Sequence, residues 1–167
     1  MDANTVTAIC ATAIATASFA VSIQQGRVTR QHNRHSVAPV LEIWTQRRLG
    51  GQTGISLANH GLGPAFITRS NVWLDGVHLG SWGGQALETI RSAVQDRPSG
   101  MGMTRRPWAI PAGTTRFILH VENYDAQRHE DLWHLVRHRL AVEITYESIY
   151  GESYVIARLP EDDSPPL

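Results

Sequence analysis

Residues 5–23, TVTAICATAIATASFAVSI, carry no charged side chain, and a basic run, QQGRVTRQHNRH, follows at once. An uncharged segment of this length decides where the rest of the chain can fold. Wound as a helix at about 1.5 Å per residue, residues 6–23 reach about 27 Å, close to the hydrocarbon thickness of a bilayer. Ile9, Ile14, Phe19, Val21 and Ile23 are strongly apolar. The Ala, Thr and Ser between them sit near neutral for insertion, and the hydroxyls can bond back to the helix's own carbonyls. The sequence therefore predicts an N-terminal transmembrane helix of modest apolar content. Arg27, Arg30 and Arg34, spaced i, i+3 and i+7, form a membrane-flanking stripe where headgroup phosphates would lie, so membrane lipid is the first expected partner. The competing reading is a soluble amphipathic helix that buries Val6, Ile9, Ala13, Ala17 and Val21.

Three arginines follow the span, whereas the leader Met1-Asp2-Ala3-Asn4 has an acid and no basic side chain. Positive flanks remain on the cytoplasmic side, so a single-pass topology is expected, with the N-terminus outside and the C-terminal domain cytoplasmic. A cleaved export signal finds small residues at suitable spacing in Ala15-Thr16-Ala17 and Ser18-Phe19-Ala20, but it lacks a positive n-region. Ala8/Thr12, Ala11/Ala15 and Ala13/Ala17 are small-xxx-small pairs that would permit self-association through the anchor helix, although an Ala-rich segment also produces them by chance.

Charge and cysteine content narrow the function classes. Fifteen basic residues balance fifteen acidic ones, which leaves no overall field to draw in nucleic acid, so none is expected as a partner. The single cysteine, Cys10, lies inside the uncharged stretch and offers neither an intramolecular disulfide nor a Cys-based zinc site. The folded part must hold by packing.

Beyond the basic run, the pattern changes to strands and turns. Alternation predicts strands over residues 37–44, 55–59, 65–74, 77–79, 115–121, 140–147 and 153–159. The connections are a Gly-rich loop over 46–54 and turns at His60-Gly61-Leu62-Gly63-Pro64, Asp75-Gly76, Pro111-Ala112-Gly113 and Tyr150-Gly151-Glu152. Leu87, Ile90 and Val94 recur at helical spacing within 83–95. Asp125 is placed to cap a helix over 126–139, whose basic residues cluster late, as the macrodipole prefers. Residues 96–106 read as an open loop. The expected fold is mainly β: a transmembrane helix followed by an immunoglobulin-like antiparallel β-sandwich with two short helical insertions. Residues 1–35 would be membrane anchor and basic juxtamembrane stalk, 36–159 the β-sandwich domain, and 160–167 a disordered acidic tail.

Arg30-Gln31-His32-Asn33-Arg34 with Ser36-Val37 and Pro39, then Ile55-Ser56-Leu57-Ala58-Asn59-His60-Gly61-Leu62-Gly63-Pro64-Ala65 and Asp75-Gly76, resembles a recurrent group of uncharacterised bacterial proteins. These have one N-terminal membrane helix and a small β-sandwich domain. The resemblance covers about the first eighty residues. It implies a bacterial inner-membrane location and the same architecture, and it brings no catalytic residues.

The sequence offers few constellations with chemical meaning. His129 and His134 are five apart, about 140° round a helix, so they miss the geometry of a zinc protease. His134 and His138 are four apart and are the candidate metal ligands, although Arg137 and Arg139 flank them. The two glycines of 60–64 lack the third glycine and the following helix of a dinucleotide loop. Ser81 has Leu79 where a hydrolase elbow needs glycine. Trp73, Trp82, Trp108 and Trp133 suit either a ligand platform or core packing, and Glu143 and Glu147 suit a solvent-side strand face. No catalytic residue and no cofactor are expected. The leading expectation is a non-catalytic, membrane-tethered interaction or accessory module with a protein partner. The alternative is a metal-dependent or exported ligand-binding protein or enzyme that uses the histidine-rich helix.

Overall fold

The computed structural model describes residues 2–102 and 108–161, and within its first helix the side chains of Thr5, Ala8, Cys10 and residues 30–36 lie outside the description. The chain divides into two compact units, Met1–Val37 and Ala38–Leu167.

The first unit is one helix, α1 (Ala3–Ser36). It begins before the uncharged stretch and runs unbroken through the basic run, so positions 27, 30 and 34 share one helical stripe. The hydroxyls of Thr7, Thr16 and Ser22 donate to the carbonyls of Ala3, Thr12 and Ser18 at 2.8–2.9 Å, one turn back. Val6, Ile9, Ala13, Ala17 and Val21 are all exposed. Ile14, Phe19 and Ile23 are exposed as well. Among the described residues, no helix is long and apolar enough to cross a membrane.

The second unit is mainly β, with every strand pair antiparallel. One sheet has the order β1 (Leu41–Gln46), β2 (Thr53–Asn59), β7 (Thr115–Val121), β5 (Gly100–Met101). The other has β4 (Val77–Gly80), β3 (Ala65–Leu74), β8 (Leu140–Glu147), β9 (Ser153–Arg158), with β6 (Trp108–Ile110) also paired to β3. Leu41, Ile55, Leu57, Leu119 and Val121 of the first sheet share one core cluster with Val72, Leu74, Val142, Ile144 and Tyr146 of the second. Two shorter helices, α2 (Gly84–Ser92) and α3 (Ala126–His134), add Ile90 and Leu132 to that core.

Most elements lie where the periodicity places them, and the differences have physical causes. β1 starts at Leu41 instead of residue 37, because Pro39 cannot donate to a ladder. β2 is buried at all seven positions rather than alternately, since it lies between β1 and β7. Among its polar residues, Thr53 Oγ1 accepts from the amide of Arg48 at 2.9 Å. Asn59 donates to the carbonyls of Gly63 and Ile110 and accepts from the amides of Val40 and Gly61, which ties together the turn after β2. Gly61 must be glycine there, for a Cβ would lie 2.3 Å from the carbonyl oxygen of Ala38. The Asp75-Gly76 turn has φ of 52° and 78°, the left-handed pair that a two-residue hairpin of type I′ requires.

The open loop expected over 96–106 is corrected at Gly100–Met101, which pairs with β7, while residues 103–107 lie outside the described residues. Trp108–Ile110 is a second short strand absent from the periodicity. The helix expected over 126–139 is α3 capped by Asp125, whose carboxylate accepts from the amide of Gln127 at 2.7 Å. Its last turn, Leu135–Arg139, is π-helical. Of the acidic tail expected over 160–167, Glu161 is held: its amide donates to the carbonyl of Arg137, and its carboxylate pairs with that residue's guanidinium. Residues 162–167 lie outside the described residues.

Candidate functional site

α3 and its π-helical turn bring the candidate metal ligands together. The rings of His134 and His138 have centroids 5.0 Å apart, tilted by 37°. His138 Nδ1 is 3.3 Å from the carbonyl oxygen of Glu161, and the nearby carboxylate of Glu161 is engaged by Arg137. Among the described residues there is no group of three or more His, Cys, Asp or Glu that could hold a metal ion. Two imidazoles supply half of a tetrahedral set. His129 serves the helix start, with Nδ1 accepting from the amide of Asp125 at 3.0 Å.

The tryptophans do not stack on one another among the described residues. Trp82 is buried, and Trp108 and Trp133 pack half-buried against the core. Ser81 Oγ lies 3.5 Å from Ser70 Oγ, which accepts from the amide of Trp82, so Ser70 on β3 holds the bend that contains Ser81. Glu143 accepts from Asn71 Nδ2 and Glu147 from Ser153 Oγ, both cross-strand ties. Of the membrane-flanking arginines, Arg27 is exposed on α1. The side chains of Arg30 and Arg34 lie outside the described residues.

Sequence reasoning did not find the cleft on the second sheet, of about 410 Å³. Register builds it. Trp73 on β3 lies opposite Ala141 on β8, and Glu143, two residues along β8, lies opposite Ala157 on β9. Two alanines at neighbouring positions leave a hollow, which Trp73 bounds on one side and Leu159 and Pro160 on the other. The charged groups around it are already engaged. Arg139 makes a two-pronged pair with Asp75 at 2.8 and 2.6 Å, and this hydrogen bonding holds the Asp75 carboxyl below the usual range. Arg158 donates to the carbonyls of Leu140 and Arg137, and burial lowers its pKa. What remains open is apolar surface between satisfied charges, which suits reception of an apolar side chain. An alanine in a strand reads as ordinary strand filler. Only the pairing of Ala141 and Ala157 into adjacent rows reveals the hollow, and pairing is a tertiary property.

No protein-family model matches the chain, and no curated protein matches it.

Proposed function

We propose that the chain is a non-catalytic, membrane-tethered interaction module. Residues 6–23 of α1 form a single-pass transmembrane anchor, and the two sheets form an immunoglobulin-like β-sandwich on the cytoplasmic side of a bacterial inner membrane. The cleft between Trp73 and Leu159 receives an apolar segment of a protein partner.

One observation carries this reading: six large apolar side chains, Val6, Ile9, Ile14, Phe19, Val21 and Ile23, stand exposed on α1, with Phe19 at 69%. At about 100° per residue they spread over about 220° of the helix, and the remaining sector carries Thr7, Ala11, Ala15, Ser18 and Ser22. So wide an exposed apolar sector calls for lipid or for the apolar surface of another protein. The back-bonded hydroxyls of Thr7, Thr16 and Ser22 support lipid, because they leave no donor to be satisfied by water. Beyond residue 23, α1 runs about 20 Å further through the arginine stripe, a length that suits a stalk through the headgroups. The sandwich reading is supported by the single core that both sheets fill. Confinement to a surface raises the effective concentration of a partner held on the same membrane, so a modest cleft suffices.

The orientation is tested with one cysteine. In a Cys10→Ser background, Ser164→Cys should resist a membrane-impermeant maleimide in intact spheroplasts and react after permeabilisation. Labelling before permeabilisation would place the domain outside and favour the exported reading.

A further inference from the structure

We infer that His134 and His138 form a two-point site for a late first-row divalent metal ion, copper(II), nickel(II) or zinc(II), which they hold between one ring nitrogen each and leave open to water on its outer side. This goes beyond the membrane reading and does not rest on it.

The two histidines lie four residues apart, His134 at the end of α3 and His138 in the π-helical turn Leu135–Arg139. One turn of helix separates them, so both rings leave the same face. Their centroids are 5.0 Å apart. A ring nitrogen bonds zinc at about 2.0–2.1 Å, and the ring centre lies about 1.1 Å further along the same line, which sets it about 3.1–3.2 Å from the ion. Two rings on one ion then have centres about 5.1 Å apart at a tetrahedral angle and about 4.5 Å apart at a right angle. The observed spacing falls between these values. The tilt of 37° does not oppose this, since rotation of a ring about its metal–nitrogen bond leaves both centres in place. The rings thus stand at chelating distance already, and taking an ion requires side-chain rotation rather than movement of the backbone.

A second observation selects the nitrogen. His138 Nδ1 lies 3.3 Å from the carbonyl oxygen of Glu161, and a carbonyl only accepts, so Nδ1 is the protonated atom of that contact. A ligating histidine ordinarily has this arrangement, with one ring N–H given to a carbonyl or carboxylate and the other nitrogen turned to the metal. Nε2 is therefore the ligand atom at His138, and it exchanges for the ion whatever contact it makes without one. Arg137 and Arg139, which flank the pair in sequence, are each matched by a carboxylate: Arg137 engages Glu161, and Arg139 grips Asp75 with two bonds. The flanking charge that counts against the pair in the sequence is balanced in the fold. His134 is exposed and His138 half-buried, so an ion reaches them from solvent and completes its set with water. Imidazole suits zinc, nickel and copper, and copper(II) leads the order of affinity, which makes it the probe.

The test is a copper(II) titration of the full chain in detergent, free of any affinity tag and carrying Cys10→Ser so that no thiol competes, read by tryptophan fluorescence and by electron paramagnetic resonance. At one equivalent the parent should hold the ion with the splitting of two ring nitrogens. His134→Ala and His138→Ala should each weaken binding by at least about tenfold, a loss that an outer-shell partner alone can cause, and each should abolish the two-nitrogen pattern. His78→Ala, at an exposed histidine on β4, should change neither. Because His134 is exposed, His134→Ala should keep the circular dichroism of the parent, and its result stands whatever His138→Ala does to folding. Absence of binding by the parent would overturn the inference. So would the parent's affinity or its two-nitrogen pattern surviving in His134→Ala, which would assign the ion to other histidines.

Discussion

Tyr124 shows what a single side chain contributes and how to measure it. It is 2% exposed, its hydroxyl donates to Glu130 Oε2 at 2.6 Å, and Arg47 donates to the same carboxylate oxygen at 2.8 Å while lying over the ring. Burial, reinforced by the Glu130 carboxylate, pushes the phenol up to about 12 from an ordinary value near 10. The folded state thus keeps a proton that the unfolded chain loses first. Its contribution is fully present below about pH 10 and is lost as pH rises towards about 12. Tyr124→Phe should therefore flatten the fall in stability across that window, measured by urea titration at successive alkaline pH values. An unchanged alkaline slope would show that the phenol is not protected. Ile144 tests the core at the same scale. It is fully buried, opposite Ser70 and Ile156, and Ile144→Ala should cost about 2–5 kcal/mol in a urea melt. A cost under about 1 kcal/mol would mean that its strand faces the other way. Several single residues were legible in the sequence because their chemistry is local, as with the cap at Asp125 and the Asp75-Gly76 turn. The need for glycine at position 61 was not, because the carbonyl that excludes a Cβ belongs to Ala38, on a separate segment.

Among the elements, those with their own periodicity were legible and those held by neighbours were not. β8 alternates apolar and polar residues over its full length, and its bounds agree with the reading of 140–147. β5 and β6, at two and three residues, are too short to show any period and exist only because β7 and β3 supply partners. The π-helical turn after α3 is equally silent in sequence. It continues the helix, places Leu135 and Val136 side by side in the core, and returns Arg139 to clamp the Asp75 turn. The cleft was hidden for the reason that hid β5 and β6: it follows from pairing across strands. α3 itself rests on its first turn. Removing the cap with Asp125→Ala should cost about 1 kcal/mol, read as a lower urea midpoint with an unchanged slope. An unaltered midpoint would show that the His129 contact to the Asp125 amide suffices alone.

For the whole molecule, one asymmetry organises the account: the domain has an apolar core that both sheets fill, and α1 leaves its large described apolar side chains exposed. The stretch that opens the sequence made the helix legible as a helix. Its surroundings were not legible, since Ala, Thr and Ser sit near the boundary between lipid and water preference, where composition alone decides little. The proposal places the exposed apolar side chains in lipid. The direct measurement is extraction of the full chain from bacterial membranes, first with high salt and then with alkaline carbonate, followed by detergent. The account predicts that the protein stays with the membrane through both washes and is released only by detergent. Recovery in the soluble fraction before detergent is added would contradict it.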